Sequence, residues 1–121
     1  MFFDARKVES NTQLSADLCI IGGGAAGIAL ATGVSKAGFT TILLEAGGTE
    51  YDEETQAVYG GAVRSDILGP DYLTSSRLRY FGGTTNHWGG HSVVINPNVF
   101  RARPGMPGRE WPISAADLRP Y

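Results

Sequence analysis

The sequence predicts an α/β chain: a βαβ unit turning through GxGxxG, an incomplete parallel sheet, then an irregular glycine-rich segment. Three observations predict it. The apolar run Leu18-Cys19-Ile20-Ile21 leads straight into Gly22-Gly23-Gly24-Ala25-Ala26-Gly27. A second apolar run over residues 40–44 ends on the acid Glu45. Further on, Gly82-Gly83-Thr84-Thr85-Asn86-His87-Trp88-Gly89-Gly90 sets two Gly-Gly pairs around hydroxyls, an amide, an imidazole and an indole.

Residues 1–16 read as a flexible lead-in. They carry acids at Asp4 and Glu9 and no apolar h-region, so they are not a secretory signal. The first strand follows from residue 18, with Cys19 expected inside it as a small buried residue. As the single cysteine it forms no intramolecular disulfide.

Each glycine of the turn has its own task in binding a dinucleotide. Gly22 permits the tight turn out of the strand. Gly24 lacks a Cβ and so lets backbone approach a pyrophosphate. Gly27 lets the following helix pack closely on the strand. Phosphates would then face the helix N-terminus, made by Ala25 and Ala26, where free N–H groups and the positive dipole end lie. Residues 25–37 are small and aliphatic with almost no charge, as a helix packed on a sheet requires. Gly38 stands where a C′ glycine ends such a helix. Glu45 lies 18 positions beyond Gly27, close to the roughly 20 expected of an acid that bonds a ribose. Together these make a Rossmann-like reading, and Glu45 disfavours a 2′-phosphate by charge repulsion.

The acidic stretch over residues 50–54 reads as a solvated loop or the start of a helix near residues 52–58. No His or Cys accompanies it, so no metal site is assigned. In the second glycine loop the glycines allow close approach to a flat ligand. Its hydroxyls, amide and N–H groups can bond a polar edge. Trp88 either walls a ligand or packs in the core, His87 is placed beside the ligand, and His91 reads as a structural histidine. Arg101, Arg103 and Arg109 fall in a Pro/Gly-rich loop, and Trp111-Pro112 is expected to anchor it to the core. Ser114 and Asp117 approximate a capping box and announce a helix at the end of the chain.

The first fingerprint with Glu45-Ala46-Gly47-Gly48, followed downstream by GGTTNHWGG, resembles the glucose–methanol–choline (GMC) oxidoreductases. Their second motif usually reads GGSS with Asn two residues later. Here Thr replaces Ser and Asn86 follows at once. The continuation through NHW, INPNVF and REWPISAADLRPY is more similar to gluconate and fructose dehydrogenase large subunits and to pyranose oxidases. The resemblance covers about residues 15–121. It implies FAD as cofactor, with Gly22, Gly23, Gly24, Ala25, Ala26 and Gly27 at the pyrophosphate and Glu45 and Ala46 at the adenosine ribose. Gly82, Gly83, Thr84, Asn86, His87 and Trp88 would line the flavin end. In pyranose oxidases the histidine of a similar THW segment is joined covalently to the flavin, and His87 matches that position; related dehydrogenases keep a similar HW pair with non-covalent FAD.

The resemblance implies an FAD-dependent oxidoreductase acting on the CH–OH of a sugar, polyol or other alcohol, with hydride passing to flavin N5. The family's catalytic histidine, paired with His or Asn, lies far toward the C-terminus, and neither His87 nor His91 matches it. No catalytic residue is therefore assigned. A two-stranded parallel unit leaves its faces and edges uncovered. Residues 17–121 are accordingly expected to be part of an FAD-binding domain, with the remainder and a substrate domain beyond residue 121. The alternatives are an inactive truncated fragment and an NAD-linked Rossmann protein using only the first motif.

Composition narrows the partners. A net charge of −2 gives no reason to expect nucleic acid. No apolar run nears the roughly 18 residues that span a bilayer. A small alcohol or sugar, and an electron-transfer partner subunit, are the partners the resemblance implies. Cytoplasm is the default compartment, with the periplasm open to a chain carried there by a partner.

Overall fold

The structure is a computed structural model, described over residues 1–89, 91–102, 104–105, 108 and 110–120. It divides into two compact units, Met1–Trp88 and Gly89–Tyr121.

The first unit is built on a two-stranded parallel sheet, β1 (Leu18–Ile21) and β2 (Thr41–Leu44), joined by helix α1 (Ala25–Lys36). The register pairs Leu18 with Thr41 and Ile21 with Leu44. Bonds at each end lengthen the ladder: Leu18 N donates to Thr40 O at 3.2 Å, and Gly22 N to Leu44 O at 2.7 Å. A carboxylate clamp fixes the start of both strands. Asp17 Oδ2 accepts from Thr40 N at 2.8 Å and from Thr40 Oγ1 at 2.6 Å. The Thr40 hydroxyl, then its N–H, hold the Asp17 carboxyl below the usual carboxylate range.

Strand side chains alternate between faces. Ile20 turns toward α1 and is the one buried apolar side chain among the described residues. The neighbouring face carries Cys19 and Ile21, with Ile21 86% exposed. Cys19 is therefore exposed rather than buried, because α1 covers only the face that Ile20 shares. The lead-in runs beside that second face, where Thr12, Leu14, Cys19, Ile42 and Leu44 line an open groove. Its first residues form a 3₁₀ turn over Ala5–Lys7, and Phe2 meets Phe81 edge-on with centroids 5.3 Å apart.

Helix α1 packs through the half-buried Gly27, Ile28, Ala31 and Val34, spaced for one face. Its opposite side, including Leu30, is exposed. The C-terminus closes as a Schellman motif: Gly38 (φ +93) donates to Ser35 O at 3.0 Å and Phe39 N to Val34 O at 3.3 Å. Of the two readings of the acidic stretch the structure has the helix, α2 (Glu53–Ala57), capped by Asp52 Oδ1 accepting from Thr55 N at 2.7 Å. A short helix α3 (Tyr72–Ser75) precedes the second glycine loop. No helix among the described residues is long and apolar enough to cross a membrane.

In the second unit Asn96 caps a 3₁₀ turn over Pro97–Phe100. Phe100 and Trp111 meet edge-on at 6.1 Å. Trp111 stays 55% exposed, so its contact is this aromatic pair rather than a closed core. Asp117 Oδ2 accepts from Ser114 N at 2.8 Å and Ser114 Oγ at 2.7 Å, one half of a capping box. Only turns follow among the described residues. Arg101 is exposed; Arg103 and Arg109 lie outside the described residues.

Two outcomes test this account. A Cβ on Gly27 would stand 2.0 Å from Gly22 O. Gly27→Ala is expected to destabilise by about 1–3 kcal/mol, read as a fall in the urea midpoint. For Asp17 the native pKa is lowered, so its stabilisation is present above about pH 4 and is lost as pH falls through the native value. In Asp17→Asn the urea midpoint should vary less with pH across that acid range than it does in the parent chain.

Candidate functional site

The two glycine motifs that the sequence singles out meet in space. Gly82 N donates to Gly23 O at 2.7 Å, and Gly24 and Gly82 form an isolated parallel bridge. Both contacts lie at the C-terminal end of β1, the end where open α/β sheets bind ligands. Gly23, Gly82 and Gly83 are buried.

Within the first turn the glycines differ in what holds them. Gly22 has φ +105, a left-handed conformation that favours glycine. Gly27 is fixed by crowding against Gly22 O. Gly24 is held by neither: its φ is −81 and a Cβ there would meet nothing within 4 Å. It is also the N-cap of α1 and provides no capping side chain. The N–H groups of Ala26 and Gly27 donate to no described residue, so the helix N-terminus keeps unspent donors.

Glu45 ties both strand ends together. Its Oε2 accepts from Gly23 N at 2.6 Å and its Oε1 from Gly47 N at 2.9 Å. The neighbouring Ala46 is exposed. The stretch before the second loop passes close to Gly47, since a Cβ there would stand 2.0 Å from Arg79 O. Phe81 N donates to Gly48 O at 2.9 Å in the same contact.

The second loop is a 3₁₀ turn over Gly83–His87, entered through Gly82 at φ +92. Its polar side chains hold its own backbone. The Thr85 hydroxyl donates to Gly82 O, Asn86 Nδ2 donates to Phe81 O at 2.9 Å, and Thr84 Oγ1 accepts from Leu78 N at 3.3 Å. Asn86 sits tightly under Gly82, where a Cβ would come 2.6 Å from its Nδ2. His87 is exposed, its ring 6.5 Å from that of Tyr80. Trp88 is 61% exposed, so it lies outside the core and faces solvent. His91 is exposed in the second unit. Among the described residues no group of three or more His, Cys, Asp or Glu could hold a metal ion.

Two positions escaped the sequence reading. Gly47 had a visible sign, a Gly-Gly pair after β2, but nothing in the sequence said what would approach it. Gln56 had none. It is 3% exposed on α2 and bonds three backbone groups of α3 and of the stretch that leads from it to the second loop. Its Nε2 donates to Thr74 O at 2.6 Å and to Arg77 O, and its Oε1 accepts from Arg79 N at 2.9 Å.

Compared with family models, curated proteins and solved structures, the chain matches none.

Gln56→Leu should unpair the backbone groups of Thr74, Arg77 and Arg79. A loss of about 1–3 kcal/mol is expected, together with faster hydrogen exchange at the Arg79 amide than in the parent chain.

Proposed function

We propose that this chain provides the cofactor-binding part of an FAD-dependent oxidoreductase acting on the CH–OH group of a sugar, polyol or other alcohol. The observation that carries the reading is the pairing of the two glycine loops, Gly82 N to Gly23 O at 2.7 Å. An NAD-linked protein using the first motif alone has no need of the second loop at that point.

The residues present fit a dinucleotide. A glycine that neither φ nor crowding requires, Gly24, stands open at the N-cap of α1. Beside it the N–H groups of Ala26 and Gly27 are free to donate to a pyrophosphate. Each oxygen of Glu45 accepts one N–H and keeps a second lone pair for a ribose hydroxyl. Gly82, Gly83, Thr84, Asn86, His87 and Trp88 would border the flavin end, with His87 the position for a covalent link. Bound FAD would supply hydride acceptance from the alcohol carbon. The chain's own contribution is to bind and orient; no residue here is assigned as the base. A partner subunit would take the electrons onward.

Gly24 gives the sharpest test. Gly24→Ala should cost less than about 1 kcal/mol of stability, yet weaken FAD binding at least about tenfold, followed by quenching of flavin fluorescence. Equal affinity in the two proteins would sink the reading. Acid precipitation of the flavin-loaded protein decides between bound and linked FAD: flavin retained in the pellet, and released by His87→Ala, establishes the link, and flavin wholly in the supernatant rules the bond out.

A further inference from the structure

Two arginines share one aromatic ring in the first unit. The Arg77 guanidinium carbon lies 4.6 Å from the Tyr59 ring centroid and that of Arg79 lies 5.6 Å from it. The two charges are thus within about 10 Å, no more than one Debye length at ~0.1 M salt. Neither forms an ion pair among the described residues, where the ion pair found is Arg6 with Asp4. Stacking on Tyr59 engages the flat faces of the guanidinium groups and leaves their N–H edges to other partners. Those edges are nearly unused. Arg77 Nε reaches Leu73 O at 3.3 Å, and Arg79 Nε is buried with no partner at all. A buried donor left unpaired is rare in a folded chain.

The pair is also built rather than incidental. Buried Gln56 accepts from Arg79 N and donates to Arg77 O, so one side chain fixes the backbone of both arginines. Tyr59 follows α2, the helix that carries Gln56, and Tyr59 N bonds Gln56 O at 3.0 Å. The ring and the two cations are therefore registered by the same residue.

We propose that Arg77 and Arg79, stacked on Tyr59, form a binding site for a small oxyanion, a carboxylate or a phosphate. Forked guanidinium donors match the paired oxygens of either group, and the anion relieves the repulsion between the two cations. The site does not rest on the flavin reading and uses none of its glycines.

The test follows the arginine Nε–Hε signals of the full chain by NMR during titration with inorganic phosphate, with acetate, and with chloride at matched ionic strength. Saturable shifts at Arg77 and Arg79 with phosphate or acetate, absent with chloride, are expected, and the anion that saturates identifies the class. Arg77 is exposed, so Arg77→Gln should leave the amide spectrum dispersed while weakening binding at least about tenfold. Arg77→Lys, which keeps the charge and loses the fork, should fall between. Shifts no larger than those in chloride, or an Arg77→Gln titration curve that superimposes on the parent, overturn the proposal.

Discussion

Close backbone approach at the ends of the two strands is the constraint on which this structure depends. Three segments converge there: the turn after β1, the stretch after β2, and the entry to the second glycine loop. Side chains would keep them apart. A Cβ on Gly47 would stand 2.0 Å from Arg79 O, and one on Gly83 would touch Gly24 Cα at 3.4 Å. With those positions bare, the segments bond directly through Gly82 N to Gly23 O and Phe81 N to Gly48 O. Glu45 completes the junction by accepting N–H groups from both strand ends. Such a junction is specific because its backbone donors must find partners once buried.

The apolar contribution is small by comparison. One face of a two-stranded sheet packs on α1, with Ile20 at its centre, and the other face carries exposed Ile21 and Leu44. Polar clamps do much of the ordering in its place. Asp17 with Thr40 holds the strand starts, and Gln56 holds the stretch from Thr74 to Arg79. Order at the second loop is therefore relayed from α2 through hydrogen bonds rather than through a packed core.

That division explains which residues were legible. Gly22, Gly27 and Gly38 could be read because local chain geometry sets their roles: a left-handed turn, a helix laid against a strand, a helix end. The short helix α2 was legible only as an alternative to a solvated loop, and its Asp52 cap was not read. Cys19 and Trp111 were harder. Their hydrophobicity suggested burial, but burial depends on what lies opposite, and for Cys19 α1 covers only the other face of the sheet. Gln56 was invisible, since a polar helix residue reads as solvated until a distant segment folds over it.

By itself the sequence determined the βαβ unit, its glycine turn, its helix ends and the carboxylate at the end of β2, because those features rest on periodicity and short-range sterics. It also marked the second glycine loop as unusual. Only the tertiary structure decided that this loop returns to the first, pairing Gly82 with Gly23 and Gly24 across a long stretch of chain. It also decided that Gln56 and Tyr59 gather Arg77 and Arg79 into one place. Such contacts join residues far apart in the chain, and nothing in the local pattern of either partner encodes the other.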